Sequence, residues 1–262
     1  MMEIQDRYIK KSMEDNKVRL DGRALDEFRE VKIETNVVTS AEGSARVKLG
    51  NSLVIAGVKM DVMTPYPDTP DEGNLIVDAE LLPIASPDFE PGPPSESAIE
   101  IARVVDRGIR ECKAIDMEKL CIKPKEKVWA VHIDIHALDH DGNLMDACGL
   151  AAIAALLTAR IPDYDEKNEK IVKETPFEKR KKLPVKDVPV PVTVSKIGGV
   201  LLLDASLEEE EAREAQITVT TMKSGELCAM QKAGSGFLTV DEIKRAVELS
   251  IAKGKELREL LP

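Results

Sequence analysis

Residues 141–157 read DGNLMDACGLAAIAALL, an Asp-Gly-Asn turn running straight into an apolar segment. The spacing predicts a helix over residues 144–159 that is apolar nearly all round, so it must be buried on most sides. A helix N-terminus carries unpaired N–H groups and a partial positive charge, a natural seat for phosphate. Here the seat carries Leu144, Met145 and Asp146. None of these holds a phosphate, and Asp146 repels one. Asn143 fits an N-cap, and Asp146 fits the third helical position of a capping box, folding back onto the helix start.

Upstream, Val128–Leu138 reads as a strand. Ser95 or Ser97 starts a helix to about Ile115. Ile101, Val105, Gly108 and Cys112 share one of its faces, and Arg103, Arg107 and Arg110 share the roughly opposite one. Ion pairing would account for Arg103 through Glu100 and for Arg110 through Asp106. Arg107 has Arg103 four residues before it and Glu111 four after. Phosphate gripping is the second reading of this stripe, because the guanidinium fork suits phosphate.

Nearer the N-terminus, residues 3–18 suit a short amphipathic helix. Asp21-Gly22 is a turn, and Val31, Ile33 and Val37 begin a strand pattern. Ala45, Val47 and Leu49 alternate, Gly50-Asn51 turns, and Val54–Val62 returns, which makes a hairpin. A strand at 75–85 lies between two proline-rich loops. Past the apolar helix, residues 163–187 are charged and read as an irregular surface connection. Strands follow at Pro191–Ser195, Val200–Asp204, Ile217–Met222 and Glu226–Lys232. A closing helix begins at Thr239, where Thr239 and Glu242 suit a capping box. The chain thus divides into a first β-α half (1–162), a connection (163–187) and a second half (188–262), an α+β pattern.

The 262 residues are 43% hydrophobic and 32% charged, with a net charge of −11. That balance opposes a free-standing nucleic-acid binder but permits a local basic patch. One Trp, three Tyr and four Phe leave little for a base-stacking platform. The four cysteines lack C-x-x-C spacing, so reduced thiols are expected rather than a zinc or redox motif. No transmembrane run or signal peptide is seen, and a soluble, cytoplasmic protein without membrane association is expected.

Three further clusters carry possible chemistry. His132, Asp134 and His136 fall on one strand face, a candidate metal set for a hydrolase. Asp204 and Glu210 could serve metal binding or acid–base work. Lys179–Lys182, in KRKK, is either a solvated loop or an electrostatic contact for RNA.

In order, RLDGRALDEFRE (19–30), EGSARVKLGNSLVIAGV (42–58), EIARVVDRGIR (100–110) and LDASLEEEEAREAQITVTTMKSGELCAMQKAG (203–234) resemble the motifs of the RNase PH family. The resemblance spans roughly residues 19–260. It implies the RNase PH-like duplicated β-α fold, of the ribosomal protein S5 domain 2-like type. It also implies 3′→5′ phosphorolysis of RNA, in which inorganic phosphate releases nucleoside diphosphates. Catalytic members carry a phosphate-binding turn with an Arg where this chain has Met145, and a small hydroxyl residue where it has Asp146. They carry two aspartates six residues apart, where this chain has Asp204 and Glu210. With those positions degenerate, the chain resembles the non-catalytic RNase PH-like subunits of archaeal exosomes. The resemblance then implies a heterodimer with a catalytic sibling, a hexameric ring of three such pairs, RNA-binding cap subunits and single-stranded RNA in the channel. It places RNA-backbone contacts on Arg103 and Arg107, leaves phosphate to the partner, and requires no cofactor or metal in this chain. An active phosphorolytic enzyme using Asp204 and Glu210 is the alternative.

Overall fold

In the computed structural model, residues 2–16, 18–172 and 174–262 are described. Positions 1, 17 and 173 belong to the expected first half, N-terminal helix and connection, and lie outside the described residues.

Helix α1 (Met2–Asn16) precedes β1 (Val31–Thr35). The expected hairpin forms from β2 (Gly43–Leu49) and β3 (Ser52–Met63), with Leu49 opposite Ser52. Next come β4 (Asn74–Leu81), α2 (Glu96–Glu111), β5 (Cys121–Lys123) and β6 (Lys127–Asp139). The sheet order is β1-β2-β3-β6-β4, with β5 paired to β6. β4 and β6 run parallel. Parallel neighbours need a crossover, and α2 supplies it. α2 starts where expected, with the Ser95 hydroxyl accepting the Ala98 N–H at 3.2 Å. It ends earlier than Ile115, because Lys113 takes a left-handed φ of 51°.

The apolar stretch forms α3 (Leu144–Thr158), and every residue from Leu144 to Leu156 is buried. The connection is more ordered than its composition implies. β7 (Arg160–Ile161) pairs with β10 (Lys181–Lys182), and β8 (Asp163–Asp165) pairs with β9 (Lys170–Val172). The second half contains β11 (Val190–Ile197), β12 (Val200–Leu203), α4 (Leu207–Ala212), β13 (Ala215–Thr221), β14 (Leu227–Ala233) and α5 (Val240–Arg258). Its antiparallel sheet has the order β12-β11-β13-β14. Thr239 and Glu242 form the expected capping box of α5.

Two sheets and the helices between and beside them form the layers. α3 lies between the first sheet and β11, and α2 packs on β4 and β14. α5 covers β11 and β13. α1 departs from the expected grouping: Ile9 and Met13 pack with Ile197, Leu202, Ala205 and Ala212, so it belongs with the second half. No described helix is long and apolar enough to cross a membrane.

The approach of α3 to β11 depends on Gly149. A Cβ there would lie 2.2 Å from Cγ of Pro191 and 2.8 Å from its Cδ. The proline ring sits on a strand and cannot swing aside. Gly149→Ala is therefore expected to destabilise the chain by roughly 1–3 kcal/mol through overpacking, against the about 1 kcal/mol that alanine adds in helix propensity. Urea denaturation reads the effect; an unchanged or higher midpoint would contradict this packing.

Candidate functional site

Three arginines from the segment 19–29 enter the second half, and two converge on Asp204. Arg19 is buried. Its Nε and Nη2 bind the Glu209 carboxylate at 3.0 and 2.6 Å, and its Nη groups also donate to the carbonyls of Leu203 (2.9 Å) and Asp204 (2.7 Å). Arg23 Nη1 donates to Asp204 Oδ2 at 2.8 Å. Arg29 donates three times to the same carboxylate: its N–H at 2.8 Å, Nε at 2.9 Å and Nη2 at 2.8 Å. Asn143 Nδ2 adds a fifth donor to Asp204 at 2.9 Å. A carboxylate offers about four lone-pair positions, so Asp204 is saturated. Although burial alone would raise its pKa, Arg29 holds this carboxyl below the usual carboxylate range. Asp204 occupies a left-handed φ of 49°, and the surrounding bonds hold it there.

Arg29 also reaches the turn before α3, donating to the carbonyls of Asp141 and Gly142. Gly142 has φ +86°, and a Cβ there would lie 2.5 Å from the Ala205 carbonyl oxygen. Only glycine satisfies both conditions.

At the start of α3 the expected capping box does not form. Asn143 is the N-cap residue, but it takes a left-handed φ of 53° and its side chain makes no cap bond. Its amide instead bridges the Asp146 and Asp204 carboxylates, each at 2.9 Å. The Asn143 N–H donates to Glu210 Oε1 at 2.9 Å. Asp146 turns toward β11 and accepts the Thr193 N–H at 3.0 Å and the Thr193 hydroxyl at 2.8 Å. Asp146 therefore does not fold back as a capping box: it accepts from Asn143 Nδ2 and from Thr193, and Glu210 takes the Asn143 N–H. Burial pushes the Asp146 carboxyl up to about 7, with the Asp204 charge acting in the same direction. Burial likewise raises Glu210, although Arg213 lies 3.5 Å away. Met145 is buried in the core.

A second polar region lies between α2 and β14. Glu96, Ile99, Glu100, Arg103, Arg107 and Gln231 line a groove of about 440 Å³. Arg103 is exposed and Arg107 half-buried. Arg107 Nη2 donates to Gln231 Oε1 at 2.6 Å, and its Nε is buried with no hydrogen-bond partner. The Glu100 carboxylate accepts from Gln231 Nε2 at 3.2 Å. The expected Asp106–Arg110 pair forms at 2.6 Å.

His132, Asp134 and His136 share the outer, half-exposed face of β6, with His136 Nδ1 3.3 Å from Glu80. Among the described residues, no group of three His, Cys, Asp or Glu side chains could hold a metal ion. The metal reading fails because alternate strand residues stand too far apart to converge. In KRKK, Lys179, Lys181 and Lys182 are exposed, while Arg180 is tied down by Thr175 and Glu42. All four cysteines are free thiols. The roles of Arg19 and Arg29 were the main omission of the sequence reading. Their signal was three arginines within eleven residues of an otherwise irregular segment.

Residues 27–162 match the profile of the 3′ exoribonuclease family domain 1, RNase PH, and residues 187–253 match that of domain 2. The chain belongs to the RNase PH family. It is 52% identical over 243 residues to the exosome complex component Rrp42 of Methanocella arvoryzae, covering 93% of this chain and 90% of that one. A chain of the Archaeoglobus fulgidus exosome with RNA bound to the active site superposes with a TM-score of 0.90 at 49% identity, covering 98% of both chains. A chain of an archaeal exosome core superposes with a TM-score of 0.86 at 45% identity, covering 98% of this chain and 96% of that one. This RNase PH-like chain therefore has the duplicated fold expected of the family.

Two outcomes test the carboxylate cluster. Asp204→Ala leaves two guanidiniums without their shared partner and is expected to cost about 3–5 kcal/mol in chemical denaturation. A loss below 1 kcal/mol would contradict the cage. Asp146 acts through pH. Its folded pKa lies above its unfolded value, so it lowers stability progressively as pH rises from about 4 to 7. Asp146→Asn removes that titration and keeps the shape. The melting-temperature difference, variant minus parent, is expected to grow from pH 5 to pH 8; a constant or shrinking difference would contradict the buried carboxyl.

Proposed function

We propose that this chain is a non-catalytic, RNA-positioning subunit of a cytoplasmic archaeal exosome, a phosphate-dependent 3′→5′ exoribonuclease. Its relatives named as exosome components match it over most of both chains. The observation that carries the reading is the saturation of Asp204: Arg23, Arg29 and Asn143 use its acceptor positions. A carboxylate bound in this way neither takes up a proton near neutral pH nor binds a metal. Among the described residues, the cations nearest the α3 start are engaged with acids: Arg29 with Asp204 and Asp141, and Arg213 with Glu210. An active enzyme using Asp204 and Glu210 is disfavoured on the same ground.

In this reading a catalytic RNase PH-like sibling binds inorganic phosphate and cuts the RNA. This chain pairs with it in a ring of three heterodimers, with cap subunits on one face. Its contribution to the RNA comes from Arg103 and Arg107 in the α2–β14 groove. Guanidiniums grip phosphodiesters through paired N–H donors, and a few aimed arginines suffice in a chain with a net charge of −11.

The purified chain with poly(A) and phosphate is expected to release no nucleoside diphosphate, while the complex reconstituted with a catalytic sibling releases it. Release by the chain alone overturns the proposal. Arg107→Ala in the reconstituted complex is expected to weaken RNA engagement by roughly tenfold, the scale of one lost charge-assisted hydrogen bond, with assembly intact by mass measurement. Unchanged RNA binding would remove Arg107 from the RNA path.

A further inference from the structure

Arg107 enters its groove beside a neutral partner, although an acid stands within reach of that partner. Gln231, on β14, accepts from Arg107 Nη2 at 2.6 Å and donates through Nε2 to Glu100 Oε1 at 3.2 Å. The chemistry of both neighbours fixes the amide. A guanidinium only donates, so it must face Oε1, and a carboxylate only accepts, so it must face Nε2. Gln231 therefore stands between the cation and the anion, bonded to both.

This placement has an electrostatic consequence. A guanidinium held by a carboxylate loses much of its field to that partner. Held by an amide, it is oriented and keeps its full charge for another anion.

We propose that Gln231 is a positioning residue for RNA engagement. It orients Arg107 and, as a neutral spacer, keeps it from being neutralised by Glu100. The inference rests on Arg107 meeting RNA, as proposed above, and goes beyond it by naming the side chain that keeps the arginine available.

The test uses the reconstituted heteromer and fluorescent poly(A), with affinity measured across a salt series. Gln231→Glu keeps the size of the side chain and strengthens its bond to Arg107, but supplies the neutralising charge. It is expected to weaken RNA binding and to lower the salt slope by roughly 0.7, one single-strand phosphate contact; because it loses the bond to Glu100 and meets it with like charge, the salt slope and not the melting temperature is the deciding readout. Gln231→Leu releases Arg107 and is expected to weaken binding while Arg107 keeps its charge. In an Arg107→Ala background, Gln231→Glu is expected to add no more than the general repulsion of an added surface charge. A purely structural glutamine would leave the salt slope unchanged in both Gln231 variants. If Arg107→Ala weakens binding while Gln231→Glu does not, the spacer role is overturned. If Arg107→Ala itself has no effect, the RNA-positioning reading beneath it fails.

Discussion

The grip of Arg29 on Asp204 ties together the three pieces of chain on which the site depends. Its N–H, Nε and Nη2 all bond one carboxylate, and the remaining reach of the guanidinium holds the turn that launches α3. One side chain thus joins the segment after α1, the turn at 141–143 and the end of β12. Asp204 is buried, so its charge needs this compensation. The left-handed backbone of Asp204 and of Asn143 persists because the network leaves neither an alternative.

The same network underlies the proposal that catalysis lies in a partner. In a phosphorolytic site the helix N-terminus must meet an anion with positive charge around it. Here the Asn143 N–H is given to Glu210, and Asp146 is folded onto Thr193. The resident arginines neutralise resident acids. The arginines proposed to meet RNA lie elsewhere, in the α2–β14 groove, where Arg103 is exposed and Arg107 is held by an amide. Structure is kept at one place and charge at another.

Periodicity made the larger elements legible in advance. The β2–β3 hairpin follows from strict alternation about Gly50-Asn51, and α3 from an unbroken apolar run. The parallel placement of β4 beside β6 was not legible, because strand order is a long-range property that local alternation does not encode. The short strands of 160–182 were hidden by their charge. α1 was misgrouped because its partners Ile197, Leu202 and Ala212 lie far along the chain. In the site, the burial of Met145 and Asp146 at the start of α3 follows from the apolar run that contains them. That the capping box fails was not legible, because the competition for Asp146 comes from Thr193, on a strand nearly fifty residues later. The arginine cage escaped for the same reason: Arg29 and Asp204 are 175 residues apart.

The most direct test of a helix start that acids crowd and no free guanidinium serves is an amide NMR titration of the purified chain with inorganic phosphate. The resonances of Leu144, Met145, Asp146 and Ala147, at the start of α3, are expected to stay unmoved through millimolar phosphate. Saturable shifts centred on those four amides would show that the helix start still receives the anion, and would contradict the account.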